Sequence, residues 1–318
     1  MNNLRTSDLR TCLQGLWLPL ITPFCNGELD EPSLRRLVRH YANLPVNGLV
    51  LAATTGESLT LEPAETERLV FTVRDEASKL PVCLGLSGSN TRALLDALQR
   101  TAAWPIDAYL ISCPYYSRPS QRGLELHFTA LADHAAHPVM IYNIPYRTGV
   151  NLGNEAMLRL ADHRNIVGLK DCCADRNQSL DLLRCRLQDF AVLTGEDAQC
   201  FEALVDGADG AILASAHVET ESFAEICKLM AAGARDAAQA RWQSVEGLTR
   251  LLFTEPSPAP IKHWLWRTGL IDSAEVRLPM TEVSAELAAR INGEIERRAA
   301  RPREPGAIGT RIGVGRRR

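Results

Sequence analysis

A lysine that follows a short apolar run carries the clearest signal for chemistry in this sequence. Lys170 comes directly after residues 166–169, Ile-Val-Gly-Leu, which are typical of a strand buried on both faces. Removal from water disfavours an ammonium ion, so a lysine at such a place is expected to be a neutral amine. A neutral amine attacks carbonyl carbon and forms a Schiff base. The alternative is a lysine just clear of the strand, with its ammonium in water.

Hydroxyl and guanidinium groups follow other apolar runs. Thr54 and Thr55 precede a glycine turn, where hydroxyls and backbone N–H groups suit a small carboxylate. Tyr116 and Tyr142 each place a phenol where it could join a proton relay. Arg147 is a candidate anchor for a substrate carboxylate, which a guanidinium binds through two hydrogen bonds. Ordinary interpretations remain open as well, namely turn capping for the threonines, rim aromatics for the tyrosines and a surface ion pair for the arginine.

The sequence contains no recognisable metal or nucleotide motif. The seven histidines are dispersed without HxH or HExxH, and no GxGxxG follows the first apolar run. Cys172 and Cys173, close to Lys170, are either reactive thiols or small packing residues at a strand end. The lack of a neighbouring histidine favours packing. We therefore expect no metal and no cofactor, with the chemistry done by side chains alone.

Short apolar runs alternate with longer amphipathic stretches over roughly the first 220 residues. Such alternation predicts parallel βαβ units, and eight of them favour an α/β fold closed into a (β/α)8 TIM barrel over an open doubly wound sheet. Active sites of these barrels lie at the C-terminal ends of the strands, where the candidate residues stand. The predicted strands are Leu16–Phe24, Gly48–Thr55, Pro81–Ser87, Ala108–Tyr115, Pro138–Ile144, Ile166–Lys170, Ala191–Gly195 and Gly210–Ser215. The predicted helices include Glu31–Ala42, with Asp30 as N-cap, Pro63–Leu80, Thr91–Ala103, Gln121–Ala136, Asn154–Ala161, Gln178–Gln188 and Ala198–Leu204.

The chain divides by composition into three parts. Residues 1–220 are predicted to form the barrel, and residues 221–300 a helical extension packed on it. Within the extension, Ser257–Lys262 (SPAPIK) is predicted to break the helical pattern because proline cannot lie inside a helix. Residues 301–318 combine Gly, Pro and Arg with little to bury, which predicts a disordered basic tail.

Charge and hydrophobicity exclude several classes of partner. The net charge of -3 implies no general attraction to nucleic acid or to an anionic membrane. No run of about 18 apolar residues is present, so no membrane span is expected. The N-terminal residues do not resemble a signal peptide, and the nine cysteines are scattered without a CxxC pair. Free thiols in a reducing cytoplasm are the simplest account.

Six ordered segments resemble the dihydrodipicolinate synthase and N-acetylneuraminate lyase superfamily, over nearly all of residues 14 to 295. They are Thr54–Ser58 (TTGES), Pro114–Gln121 (PYYSRPSQ), Tyr142–Gly149 (YNIPYRTG), Gly168–Asp171 (GLKD), Thr194–Ala198 (TGEDA) and Glu255–Lys262 (EPSPAPIK). The resemblance implies a Schiff base between Lys170 and pyruvate, and a proton relay of Tyr142, Thr54 and Tyr116. It implies binding of substrate by Thr55, Arg147, Gly195 and Ile212. It also implies a homo-oligomer, a dimer or a tetramer, in which Tyr116 crosses the dimer interface.

Within the superfamily, the synthase subgroup fits best. Arg147 stands where that subgroup places the arginine that grips the carboxylate of aspartate semialdehyde, the small aldehyde that condenses with pyruvate on the route to lysine and diaminopimelate. Ala53 replaces a common glycine, and Tyr146 replaces a common small residue and could narrow the aldehyde side of the site. Lysine-regulated members use a His and a Glu where this chain has Thr66 and Leu94, which predicts weak or absent inhibition by lysine.

Two other functions stay open on the sequence. The first is another pyruvate aldolase of the superfamily, either a keto-deoxy sugar acid aldolase or an enzyme like N-acetylneuraminate lyase. These differ from the synthase in the aldehyde that they use. The second is a non-catalytic paralogue that binds a small carboxylate. Retention of Lys170, Tyr142, Tyr116 and Thr54 together argues against it.

Overall fold

Eight parallel strands close into a barrel in a computed structural model that describes residues 13–300. Each strand pairs with the next in sequence, and the eighth pairs with the first, so the barrel is complete. The strands are Gly15–Pro19 (β1), Gly48–Leu51 (β2), Val82–Leu86 (β3), Ala108–Ser112 (β4), Val139–Asn143 (β5), Ile166–Asp171 (β6), Ala191–Thr194 (β7) and Gly210–Ile212 (β8). The predicted (β/α)8 TIM barrel is confirmed.

Helices follow the strands and cover the outside of the barrel. Those after the eight strands are Glu31–Ala42 (α1), Pro63–Glu76 (α2), Thr91–Thr101 (α3), Gln121–His134 (α4), Asn154–Ala161 (α5), Arg176–Cys185 (α6), Cys200–Val205 (α7) and Thr220–Ala231 (α8). A hairpin of Phe24–Cys25 and Glu28–Leu29 precedes α1, and the short helix Pro145–Thr148 follows β5. As predicted, Asp30 caps α1, because its side chain accepts a hydrogen bond from the Ser33 N–H.

Several predicted strands are too long at their C-terminal ends. The strand predicted over Gly48–Thr55 ends at Leu51, where the chain turns at Ala52 with φ of 48°. The strand predicted over Ala108–Tyr115 ends at Ser112, and the first strand ends at Pro19. The loops after these strands are themselves buried, so their apolar composition continues past the last strand residue. Hydrophobicity therefore marks burial here and not strand length.

Two packed layers hold the strands in place. Side chains such as Trp17, Val50 and Leu193 point into the barrel and form an inner cluster. Their neighbours along the same strands, such as Leu18, Leu49 and Val192, pack outward against the helices. Strands buried on both faces read as continuous apolar runs, which is why the sequence pattern located them.

A helical extension follows α8 and returns to the barrel. Its helices are Arg235–Leu252 (α9), Ala259–Arg267 (α10) and Ala285–Ala299 (α11). The predicted break at Ser257–Lys262 is present at Ser257 and Pro258, which lie between α9 and α10, but it is shorter than predicted, because α10 begins at Ala259 and Pro260 falls in its first turn. Proline is tolerated there, since the N–H groups of the first turn have no intrahelical partner.

Packing contacts indicate where the barrel ends and the extension begins. Helix α8 contacts β1, as the eighth helix of a barrel should, so we propose that the extension begins after Ala231 and not at residue 221. The predicted basic tail, residues 301–318, lies outside the described residues. Among the helices of residues 13–300, none combines the length and the low polarity needed to span a bilayer.

Candidate active site

The side chain of Lys170 is buried at the C-terminal end of β6. It is 4% exposed, and its Nζ atom lies 4.3 Å from the ring centroid of Tyr142. Burial lowers the pKa of the amine, and the positive charge of Arg147 lowers it further. Cys172, Asp197 and Glu196 act in the opposite direction. The structure therefore favours the buried nucleophile over a lysine that reaches water.

A glycine directly after the neighbouring strand β7 leaves space for the Lys170 side chain. A Cβ atom built on Gly195 would lie 2.3 Å from Lys170 Cε and 2.5 Å from Cys172 Sγ. Any side chain at position 195 would displace the amine from its place. Gly195, predicted to bind substrate, thus also makes room for the candidate nucleophile.

Tyr142 is the immediate neighbour of Lys170 on β5. The strand register pairs the two residues directly, and the tyrosine side chain is 5% exposed. Burial raises the pKa of the phenol well above its usual value, while an interaction with the Thr54 hydroxyl acts in the opposite direction. The phenol therefore stays protonated and can pass a proton as a neutral hydroxyl. Thr54 and Tyr142 are brought together as predicted.

The Thr54–Thr55 turn is tightly folded at the end of β2. Thr54 is half-buried and Thr55 buried. The Glu57 and Ser58 N–H groups donate to the Thr54 and Ala53 carbonyls, at 3.1 and 3.2 Å. The Gly56 carbonyl accepts from Thr22 Oγ1 at 2.8 Å. This turn faces the same interior as Ile212, which is buried with Ala53, Tyr142 and Cys172 in the inner cluster.

Two acidic residues after β7 belong to the site although sequence analysis assigned them no role. Asp197 is buried and accepts hydrogen bonds from the Ser215 N–H and hydroxyl, at 2.6 and 2.5 Å. Burial raises the pKa of this carboxyl to about 6. Glu196 interacts with Cys172 and Tyr146. Their position after the predicted strand Ala191–Gly195 was the available signal, because residues at such ends face the barrel mouth.

Cys172 is a packing residue of the site. Its sulfur lies 4.0 Å from the Tyr142 hydroxyl, and its side chain is buried. Burial raises the pKa of the thiol well above its usual value, so the reactive thiolate is disfavoured. The structure thus supports packing over reactivity, the interpretation that the sequence favoured.

Arg147 and Tyr146 lie on the short helix Pro145–Thr148 at the rim of the barrel. Both side chains are exposed, and the guanidinium carbon of Arg147 lies 5.7 Å from the ring centroid of Tyr146. The positive charge of Arg147 acts on both Lys170 and Tyr142. The arginine therefore adds positive charge at the rim of the barrel, close enough to act on both groups.

Within one chain, Tyr116 lies outside the site that the buried candidates form. Its side chain is 93% exposed, and its backbone has a φ of 69°. The Tyr116 N–H donates to the Thr148 carbonyl at 3.1 Å, which ties this turn to the helix that carries Arg147. Within its own chain the phenol is therefore in solvent, whereas Lys170 is buried.

Residues 13–300 contain no group of three or more His, Cys, Asp or Glu side chains arranged to hold a metal ion. The eight cysteines in this range are all free.

Known proteins are similar to this chain in fold and in sequence over almost their whole length. The 4-hydroxy-tetrahydrodipicolinate synthase 2 of Clostridium acetobutylicum is 40% identical over 281 residues, 88% of this chain and 98% of the relative. The dihydrodipicolinate synthase structure from Aquifex aeolicus has a TM-score of 0.87 and 30% identity, covering 90% of this chain and 98% of that one. The chloride-inhibited Acinetobacter baumannii enzyme, complexed with pyruvate, has a TM-score of 0.86 and 31% identity, covering 89% and 98%.

The sequence profile of the Dihydrodipicolinate synthetase family matches residues 12–297. This span includes all the candidate residues and nearly all of the helical extension. The chain therefore belongs to the Dihydrodipicolinate synthetase family.

Proposed function

We propose that this protein is a 4-hydroxy-tetrahydrodipicolinate synthase, a lyase that condenses pyruvate with aspartate semialdehyde through a Schiff base. The observation that carries the proposal is the buried Lys170 amine beside the Tyr142 phenol at the C-terminal end of the barrel. The relatives named above support it, and so does their coverage of the whole domain. No cofactor enters the proposed reaction.

The first half of the proposed reaction uses Lys170. Its neutral amine attacks the ketone of pyruvate, and loss of water gives an imine. The protonated imine withdraws electrons from the methyl carbon, which then loses a proton and becomes an enamine. The enamine carbon attacks the aldehyde carbon of the second substrate and forms the new carbon–carbon bond. Attack of the substrate amine on the imine carbon closes the ring and releases Lys170.

Proton transfer in this scheme falls to Tyr142 with Thr54. The raised pKa of the phenol keeps its proton in place, so transfer requires a partner hydroxyl that accepts as the phenol donates. We propose that Tyr116 of a neighbouring subunit is the third member of the relay, because in its own chain the phenol lies in solvent. The proposal requires a homo-oligomer, a dimer or a tetramer. Cytoplasmic location stays a prediction.

Truncation of Arg147 should mainly damage use of the aldehyde. We expect Arg147→Ala to raise the KM for aspartate semialdehyde about ten- to a hundredfold, since a charge-assisted hydrogen bond contributes about 1.5–3 kcal/mol. The KM for pyruvate should change little. Steady-state kinetics with each substrate varied in turn measures both values. The exposed Arg122 of α4 provides a matched control in Arg122→Ala. An unchanged dependence on aldehyde would remove the assigned role.

The choice of aldehyde separates this function from its nearest alternative. The experiment is a coupled assay with pyruvate and a panel that includes aspartate semialdehyde and sugar-derived aldehydes. Among the aldehydes of the panel, we expect only aspartate semialdehyde to condense efficiently with pyruvate. Preference for a sugar aldehyde would instead indicate a keto-deoxy sugar acid aldolase or a sialic acid lyase. Ligand binding without any imine would indicate a non-catalytic paralogue.

Lysine should inhibit this enzyme weakly or not at all. The structure gathers Ser58, Thr66, Asn90, Leu94 and Tyr115 around one open cavity. Leu94 offers an apolar surface where regulated relatives offer a carboxylate, so a cationic ligand lacks its counter-charge. Initial rates at millimolar lysine should stay close to the uninhibited rate. Strong inhibition by submillimolar lysine would refute this prediction.

A further inference from the structure

A buried ion pair links the helical extension to the turn that carries Thr54 and Thr55. Lys262 of α10 is 0% exposed, and its Nζ lies 2.5 Å from Glu57 Oε1. The same ammonium donates to the Glu275 carbonyl at 2.8 Å and lies 4.2 Å from the ring centroid of Phe24. Burial of two charges is costly unless each is paired and hydrogen-bonded. This pair satisfies that condition at a place where the barrel and the extension meet.

Glu57 is held in an unusual backbone conformation directly after the turn. Its φ of 54° lies in the left-handed region, which favours glycine. The Glu57 N–H closes the turn by donating to the Thr54 carbonyl at 3.1 Å. Its other carboxylate oxygen accepts from the Arg277 N–H at 2.9 Å. Both oxygens of one side chain are therefore bound by the extension, while its backbone shapes the Thr54–Thr55 turn.

Arg277 also binds residues that follow Glu57 in the chain. Its guanidinium donates to the Thr60 carbonyl at 2.9 Å and pairs with Glu65 at 2.5 Å. The guanidinium carbon lies 4.1 Å from the ring centroid of Phe24, the ring that also contacts Lys262. Residues 57–65 are thus clamped between two cations of the extension that share one aromatic ring.

We propose that Glu57, Lys262 and Arg277 are positioning residues for pyruvate, which makes the helical extension part of the substrate site. None of them reaches Lys170; they act through the turn that presents Thr54 and Thr55 to the pyruvate carboxylate. The inference rests on the proposed function, because it takes that turn to be the carboxylate site. It predicts a defect in pyruvate affinity that exceeds any loss of chemistry.

The test is kinetic and uses Lys262→Met, Glu57→Gln and the double variant in the full-length enzyme. Each single change leaves one buried charge without its partner, so the turn is expected to shift. The pyruvate KM should rise about ten- to a hundredfold, the scale of losing a hydrogen bond to the charged pyruvate carboxylate. The aldehyde KM should change by less than about threefold, because Arg147 lies on another element. The kcat should fall by a smaller factor than the pyruvate KM rises, because the turn carries only Thr54 of the relay, while Lys170 and Tyr142 lie on other elements. The double variant removes both charges and should recover part of the pyruvate affinity.

The control is a second, less deeply buried ion pair at the opposite end of the barrel. Asp209 pairs with Arg186 and accepts from the Val192 N–H at 2.8 Å, just before β8 begins. Asp209→Asn should lower the thermal midpoint and leave the pyruvate KM unchanged. An equal rise in pyruvate KM for Asp209→Asn would overturn the proposal, and so would folded Lys262 and Glu57 variants with normal pyruvate KM.

Hydrogen exchange on the unmodified enzyme covers the case in which these variants fail to fold. Pyruvate should slow exchange in peptides from residues 52–60 and 257–278 together, while α11 stays unchanged. Protection of 52–60 without 257–278 would overturn the proposal. Failure of the proposed function looks different, since the unmodified enzyme would then form no imine and show no condensation.

Discussion

Lys170→Arg should abolish formation of the pyruvate imine and lower kcat roughly a thousandfold or more, since loss of a nucleophile removes the covalent route altogether. A guanidinium is long and donates hydrogen bonds, but it is not deprotonated in proteins and so cannot act as the neutral nucleophile. Borohydride with pyruvate should label the unmodified enzyme at Lys170 by one reduced adduct, detected by peptide mass spectrometry.

The control for this variant is another lysine changed in the same way. Lys228 of α8 is exposed, and Lys228→Arg should retain both labelling and turnover. Labelling of the unmodified enzyme should also depend on pH in a defined direction. Because burial lowers the pKa of Lys170, the neutral amine is present at lower pH than for a lysine in water. The labelling rate should therefore increase as the pH is raised through that lowered pKa. Full activity of Lys170→Arg would end the Schiff-base proposal.

Tyr142→Phe should reduce kcat by about 10²- to 10⁴-fold, the usual contribution of a positioned proton-transfer group. The substitution removes the hydroxyl and keeps the ring, so the contact between the ring and Lys170 Nζ remains. Imine formation should then persist, and proton exchange at the pyruvate methyl group should slow most. Deuterium incorporation into pyruvate in heavy water, followed by NMR, isolates that step from condensation.

A second buried tyrosine provides a matched control for Tyr142. Tyr109 lies on β4 with no exposed surface, and its hydroxyl is 2.9 Å from Thr101 Oγ1. Tyr109→Phe should cost stability through that hydrogen bond and leave methyl exchange unchanged. Equal slowing in both variants would mean that Tyr142 supports the fold and not the proton transfer.

The barrel and the residues at its mouth could be predicted without the structure. Strands buried on both faces must be almost wholly apolar, so Lys170 stood out at the end of Ile166–Asp171. The fold class then placed Thr54, Tyr142 and Gly195 at one end, because all the strands run in the same direction. Local pattern was sufficient for these features since each depends on residues adjacent in the chain.

Contacts between distant segments become visible only in the folded chain. The pairing of Glu57 with Lys262 joins residues far apart in sequence, and no local pattern shows which buried charges will meet. The exposure of Tyr116 likewise depends on where its turn lies relative to the barrel. Burial and pairing of charges follow from the complete fold. Composition and periodicity describe local segments and do not show which distant segments will meet.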